Sequence, residues 1–180
     1  MAKGTNEKIT LGSGKAYLME YTGEMPEVTE ICTEANHLGW IQSGAELSYT
    51  AEPHEEKDDL GMVSKIVINS EEAVLKLGLL TWNGQTLSKL VDRCKVTEAS
   101  GKRTIKIGGA GNAQGKDWVV CFHQEDKTDG DMWVLMRGKN QSGFTLTYAV
   151  DAATKLEPEF KALPQADGTL ITLIEEIDNA

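Results

Sequence analysis

The chain has 180 residues and a mass of 19.6 kDa, enough to bury one full core, so a single domain spanning residues 1–180 is expected. Eighteen Lys and Arg against 28 Asp and Glu give a formal net charge of −10 and a pI near 4.8, which argues against nucleic-acid binding driven by phosphate neutralisation. The opening residues lack the apolar stretch of a secretion signal and no apolar run approaches the length of a membrane span, so synthesis is expected to end in the cytosol.

Residues 1–14 read as an N-terminal arm. Strand signals, stretches rich in β-branched or aromatic residues bounded by Gly, Asn and Asp, cover residues 15–21, 38–42, 45–52, 65–69 and 73–79. Between the third and fourth of these lies Pro53-His54-Glu55-Glu56-Lys57-Asp58-Asp59-Leu60-Gly61-Met62-Val63-Ser64. A structureless connection of about a dozen residues is usually either a working loop or a disordered one, so this acidic run is expected to contact something, with Gly61 as a hinge.

Residues 83–93 place Leu87, Leu90, Val91 and then Cys94 at helical spacing, with Asn83 as N-cap and Lys89 and Arg93 near the C-terminal end of the dipole. Further hairpins are expected from residues 95–98 with 103–107, and from 118–125 with 131–137 around Asp129-Gly130, whose positive φ angles suit a tight turn. Residues 143–150 read as a strand, 150–164 as an irregular return, 169–177 as a last strand, and 178–180 as a frayed end. The fold class that follows is all-β dominated: an antiparallel β-sandwich with one flanking α-helix and a long strand-connecting loop.

Strand faces carry the functional reading. Glu46, Ser48, Thr50 and Glu52 share one face while Ala45, Leu47, Tyr49 and Ala51 share the other, and in the following strand Lys65, Val67 and Asn69 oppose Ile66 and Ile68. Residues 118–122 and 132–136 are apolar on both faces and need two covers. Either a neighbouring subunit or the helix together with residues 150–164 can supply the second.

No catalytic or ligand-binding motif completes itself. In Gly108-Gly109-Ala110-Gly111 and Gly115-Lys116-Asp117 the Walker loop lacks its first Gly and its Ser or Thr, and the stretch leads into a strand where a dinucleotide fingerprint needs a helix. Residues 126–137 fail as a calcium loop because Asp131 stands where Gly is needed and Arg137 where Glu is needed. His37, His54 and His123 are remote from one another, and Cys32, Cys94 and Cys121 read as small buried hydrophobes, so neither metal nor cofactor nor enzymatic activity is expected.

Ile9-Thr10-Leu11-Gly12-Ser13-Gly14-Lys15-Ala16-Tyr17-Leu18, Thr33-Glu34-Ala35-Asn36-His37-Leu38-Gly39-Trp40-Ile41, Lys57-Asp58-Asp59-Leu60-Gly61, Leu80-Thr81-Trp82-Asn83-Gly84, Lys106-Ile107-Gly108-Gly109 and Asn140-Gln141-Ser142-Gly143-Phe144-Thr145-Leu146 together cover nearly the whole chain. In that order they resemble the tail tube (major tail) proteins of long-tailed bacteriophages and prophages. The resemblance implies a subunit made in the host bacterial cytoplasm and incorporated into the virion tail. Hexameric rings of it would stack head to tail into a hollow tube for DNA ejection.

On this reading the lumen is lined by Glu46, Ser48, Thr50, Glu52, Lys65, Val67 and Asn69. His54, Glu55, Glu56, Lys57, Asp58, Asp59, Leu60 and Gly61 form the ring-stacking loop. The implied partners are copies of the chain and the tape measure, tail terminator and tail-tip or baseplate proteins, while DNA passes without specific binding and no membrane is engaged. An injector tube of a contractile bacteriocin-like machine fits the same residues. A different class of function is a soluble β-sandwich binding module, with Trp40, Trp82, Trp118 and Trp133 as candidate anchors.

Overall fold

A computed structural model describes Thr10 and residues 12–177; most of the expected N-terminal arm and the frayed end at 178–180 lie outside the described residues. Ten strands and two helices follow in order: β1 (Gly14–Glu20), α1 (Val28–Ile31), β2 (His37–Gly39), β3 (Ile41–Lys57), β4 (Ser64–Leu79), α2 (Gly84–Leu90), β5 (Cys94–Ala99), β6 (Lys102–Ile107), β7 (Trp118–Gln124), β8 (Met132–Asn140), β9 (Glu159–Ala162) and β10 (Thr172–Glu175). Every strand pairing is antiparallel, so the chain is mostly antiparallel β-sheet.

Instead of two large stacked sheets, one eight-stranded sheet runs in the order β2-β1-β7-β8-β9-β4-β3, with β10 also on β8, and β5 and β6 form a separate ribbon. The two end strands of that order, β2 and β3, are separated in the chain by Trp40 alone. Its N–H donates to Thr81 Oγ1 at 2.8 Å and its carbonyl accepts the Leu80 N–H at 2.8 Å, so one bent stretch of backbone passes from β1 to the end of β4. The sheet therefore curls until its two edges meet. Gly39 makes the corner: φ is +154°, and a Cβ there would lie 2.3 Å from the Thr81 carbonyl oxygen.

Inside the curl the strands share one core of Ala16 and Leu18, Leu38, Ala73, Leu75, Leu77 and Leu79, Val120, Met136, and Phe160, with the partly buried Ile41 and Leu47 of β3 packed against it. Leu87 and Leu90 of α2 complete it. The Asn83 side chain accepts the Gln85 and Thr86 amides as the expected N-cap. The helix stops at Leu90, short of the expected end. Cys94 is instead the first residue of β5, and the Arg93 carbonyl is held by the Gly108 N–H, a tertiary contact that helical periodicity does not encode.

The two covers that β7 and β8 require both come from this chain. One face meets the central core; the other buries Tyr17, Ile31, Val119, Cys121 and Leu135 beneath Tyr21, Met25, Val28 and Cys32 of the β1–α1 segment. A neighbouring subunit is not needed here, and α2 and residues 150–164 cover the opposite face from the one left open by the sequence. The lid is hidden in the sequence because a one-turn helix shows no period.

Four further expectations are corrected. Residues 65–69 and 73–79 belong to one strand, β4, whose Ser70-Glu71-Glu72 segment is polar because both faces are exposed there. Residues 143–150 are irregular rather than a strand, since β8 is already paired with β9 over residues 138–140 and with β10 over 132–135. The return through 150–164 contains β9, anchored by the fully buried Phe160, and the last strand shortens to Thr172–Glu175. Because Phe160 is wholly enclosed, Phe160→Ala should cost about 3–5 kcal/mol, read as a lowered midpoint in urea unfolding; an unchanged midpoint would mean the curl is not packed as described.

Candidate functional site

Pairing continues past the body of the domain. β3 and β4 are 17 and 16 residues long, whereas β1 and β7, which form the body, have 7 each. From Thr50↔Glu72 to Lys57↔Ser64 every residue of β4 is exposed, and the hairpin projects roughly 25 Å beyond the core.

The expected long loop is thus mostly strand. His54, Glu55, Glu56 and Lys57 are laddered opposite Val67, Ile66, Lys65 and Ser64, and only Asp58, Asp59, Leu60, Gly61, Met62 and Val63 turn the chain. The sequence conceals this because a strand wet on both faces has no apolar alternation to display. Pro53 also reads as a strand breaker, yet it sits where the register shifts on the terminal strand of the sheet, a place that tolerates a missing N–H.

That register shift decides which side chains share a face. Glu52 pairs with Ser70 and Pro53 with Ile68, leaving Asn69 as the extra residue of a bulge. Beyond it His54 pairs with Val67 and Glu56 with Lys65, so Lys65 and Val67 lie on the same face as Glu46, Ser48, Thr50 and Glu52. Short contacts agree with this register: Ser70 Oγ donates to Glu52 at 3.0 Å and His54 Nε2 meets Glu56 at 2.7 Å. Towards the body, Lys161 pairs with Glu72 at 2.7 Å and Lys76 with Glu159 at 3.4 Å on this face. Between Glu52 and Glu72 seven carboxylates stand against two lysines, so the projection is acidic on balance.

The other face is mixed where nothing of the body reaches it: Glu55, Lys57 and Glu71 share it with apolar side chains, and Lys57 Nζ lies 3.1 Å from Glu55. Tyr49, Ala51 and Pro53 of β3 lie opposite Ala73, Glu71 and Ile68 of β4, followed by Ile66 and the tip residues Leu60, Met62 and Val63. Leu60 is 84% exposed, Met62 81%, Ile66 62% and Ile68 60%; Ile66 and Ile68 continue the core-facing side of the same strands, interrupted by Glu71 and Glu55. Sequence reading placed Ile66 and Ile68 opposite the polar face; Met62 and Val63 went unnoticed inside what passed for a loop.

The turn is hydrogen-bonded within itself. Gly61 has φ +68° and its N–H donates to the Asp58 carbonyl at 2.9 Å. The Asp58 carboxylate accepts the Val63 N–H at 2.7 Å, and that bond holds its pKa below the ordinary carboxylate range.

Elsewhere the sequence candidates serve packing. Trp82 and Trp118 lie against the central core and Trp133 against the second one, while Trp40 is 58% exposed at the corner. His123 pairs with Asp131 at 2.9 Å, far from His54 on the hairpin. Among the described residues no group of three or more His, Cys, Asp or Glu could hold a metal ion, and no helix is long and apolar enough to cross a membrane.

No protein-family model and no curated protein sequence matches this chain.

A depressed Asp58 pKa stabilises the ordered turn above the carboxylate's unfolded value, and that contribution disappears as the pH falls through the folded value. An NMR pH titration of the Val63 amide should show a midpoint below that of a solvated aspartate. Asp58→Ala should abolish that titration while leaving the urea-unfolding midpoint of the domain unchanged, because the tip carries no core residue; an ordinary titration midpoint for Val63 would show that the bond is not formed.

Proposed function

We propose that this chain is a structural subunit that polymerises with copies of itself, in the manner of a phage tail tube, as stacked hexameric rings enclosing a bore for DNA. The observation that carries the reading is the projecting hairpin, a paired ladder with uncovered apolar side chains at Ile66, Ile68 and its tip and an uncovered outer edge on β3. A long unpaired edge invites association with another chain. Head-to-tail contacts use that property productively, closing into rings where the rotation fits the symmetry.

Residues 143–150 add a second support. They have the composition of a strand, with Tyr148 78% exposed and Val150 fully exposed, and Leu146 alone reaches the core. Among the described residues no backbone–backbone hydrogen bond involves residues 144–153. A strand-forming segment left unladdered and a strand edge left unpaired are complementary surfaces for copies of one chain.

In this role the face of Glu46, Ser48, Thr50, Glu52, Lys65, Val67 and Asn69 lines the bore. Repetition around a ring sums its acidic excess, and a Debye length of about 8 Å at physiological salt lets that charge repel passing phosphates. Residues 54–61 reach the adjacent ring as the end of a hairpin instead of a loop. The tape measure, terminator and tail-tip or baseplate proteins are the heterologous partners of such a tube, and virion tail its location.

Purified protein, on concentration, should form rings or hollow cylinders visible by negative stain; a strict monomer at high concentration would overturn the proposal. Replacing residues 53–69 by Asn-Gly joins Glu52 to Ser70 through a tight turn and removes no buried side chain. That variant should remain a folded monomer by circular dichroism, as should Ile66→Asp/Ile68→Asp, with stability changed by no more than about 0.5 kcal/mol in the latter. Normal tubes from either variant would place the contact elsewhere.

A further inference from the structure

Spacing along the chain separates Cys32 from Cys121 by 89 positions, yet the fold brings their Sγ atoms to 3.8 Å. Cys32 caps the C-terminal end of α1 and is half-buried; Cys121 is at the centre of β7 and fully enclosed. Between them they join the α1 lid to the sheet it covers, beside Ile31, Val119 and Leu135. Cys94 is buried at the start of β5 and belongs to neither group.

We propose that Cys32 and Cys121 are a disulfide-forming pair, a modification site that locks the lid onto β7 when the protein meets an oxidising small-molecule disulfide. The half-exposed Cys32 reacts first. Its thiolate attacks one sulfur of the reagent, forming a mixed disulfide and expelling one thiolate. Cys121 then gives up its proton and attacks Cys32 Sγ, releasing the second thiolate; two protein thiols are oxidised and one reagent disulfide is reduced to two thiols. The 3.8 Å separation lets this second step proceed through side-chain rotation, without moving β7, and the enclosed site keeps a second reagent molecule from competing with Cys121.

Burial pushes both thiols above their ordinary range, so the link forms slowly at neutral pH and faster as the pH rises. Reducing cytosol keeps the pair open. The site stands independently of the tube reading; only its timing, with closure after release from the cell, rests on that reading.

The test is native protein incubated with oxidised glutathione, then quenched with acid and digested without reductant. The expected product is a monomer about 2 Da lighter than the reduced chain, with a peptide pair linked through Cys32 and Cys121. The link should form about tenfold faster per pH unit between roughly pH 7 and 9. It should raise the apparent melting temperature by about 5–10 °C, because it closes a long loop of the unfolded chain. Cys94→Ala should give the same product and Cys32→Ala none. A glutathione adduct that persists on Cys32, a link between chains, or no reaction would each overturn the proposal, whether or not tubes form.

Discussion

Closure of the sheet at Trp40 is the constraint from which the rest of the molecule follows. One stretch of backbone supplies both edges of the eight-stranded sheet, so the curl holds a fixed circumference and a fixed volume of core. Strands β3 and β4 are more than twice as long as β1 and β7, with which they share the sheet. Their surplus has no inner side to face. The ladder nevertheless continues, since antiparallel backbone bonds need only each other, and the side chains that would have pointed inward become an exposed mixed face.

Electrostatics and packing divide this hairpin between its two faces. Alternation along β3 keeps Glu46, Glu52 and Glu56 on one side, and the bulge at Asn69 brings Lys65 and Val67 to that side; without it they would change faces with Ile66 and Ile68. Lysines on the same face are partly consumed by Glu72 and Glu159, which lowers their reach without reversing the sign of the surface. The hairpin thus carries an acidic face and a mixed face with exposed Ile66 and Ile68, the two surfaces that the proposed tube would use at its bore and its joints.

The opposite end of the molecule is governed by a different economy. β7 and β8 are apolar on both faces and take their second cover from the α1 lid, a segment with only one helical turn of its own. Such a lid depends on side-chain burial far more than on its backbone, and the Cys32–Cys121 contact lies where that burial is concentrated. Projecting hairpin and thinly structured lid thus occupy separate surfaces, so chemistry at one leaves the other's geometry alone.

Local chemistry in the chain was sufficient for the elements that carry their own pattern. Asn83 marks the start of α2, the Lys102–Ile107 and Trp118–Gln124 strands follow β-branched runs, and the alternation of Glu46, Ser48, Thr50 and Glu52 against Leu47 and Tyr49 defines a two-faced strand. Other features exist only between distant residues. The ladder through His54 to Lys57, the bulge at Asn69, the corner at Gly39, the failure of residues 143–150 to find a partner and the meeting of Cys32 with Cys121 depend on which edges and faces are already taken. Periodicity reports burial, so it falls silent wherever a segment is wet on both sides or is buried by a neighbour far along the chain. The sequence determined the strands, the acidic face and the absence of any complete catalytic motif; tertiary structure alone decided that the acidic run is a projecting hairpin, because backbone pairing, unlike hydrophobic alternation, leaves no mark on the order of residues.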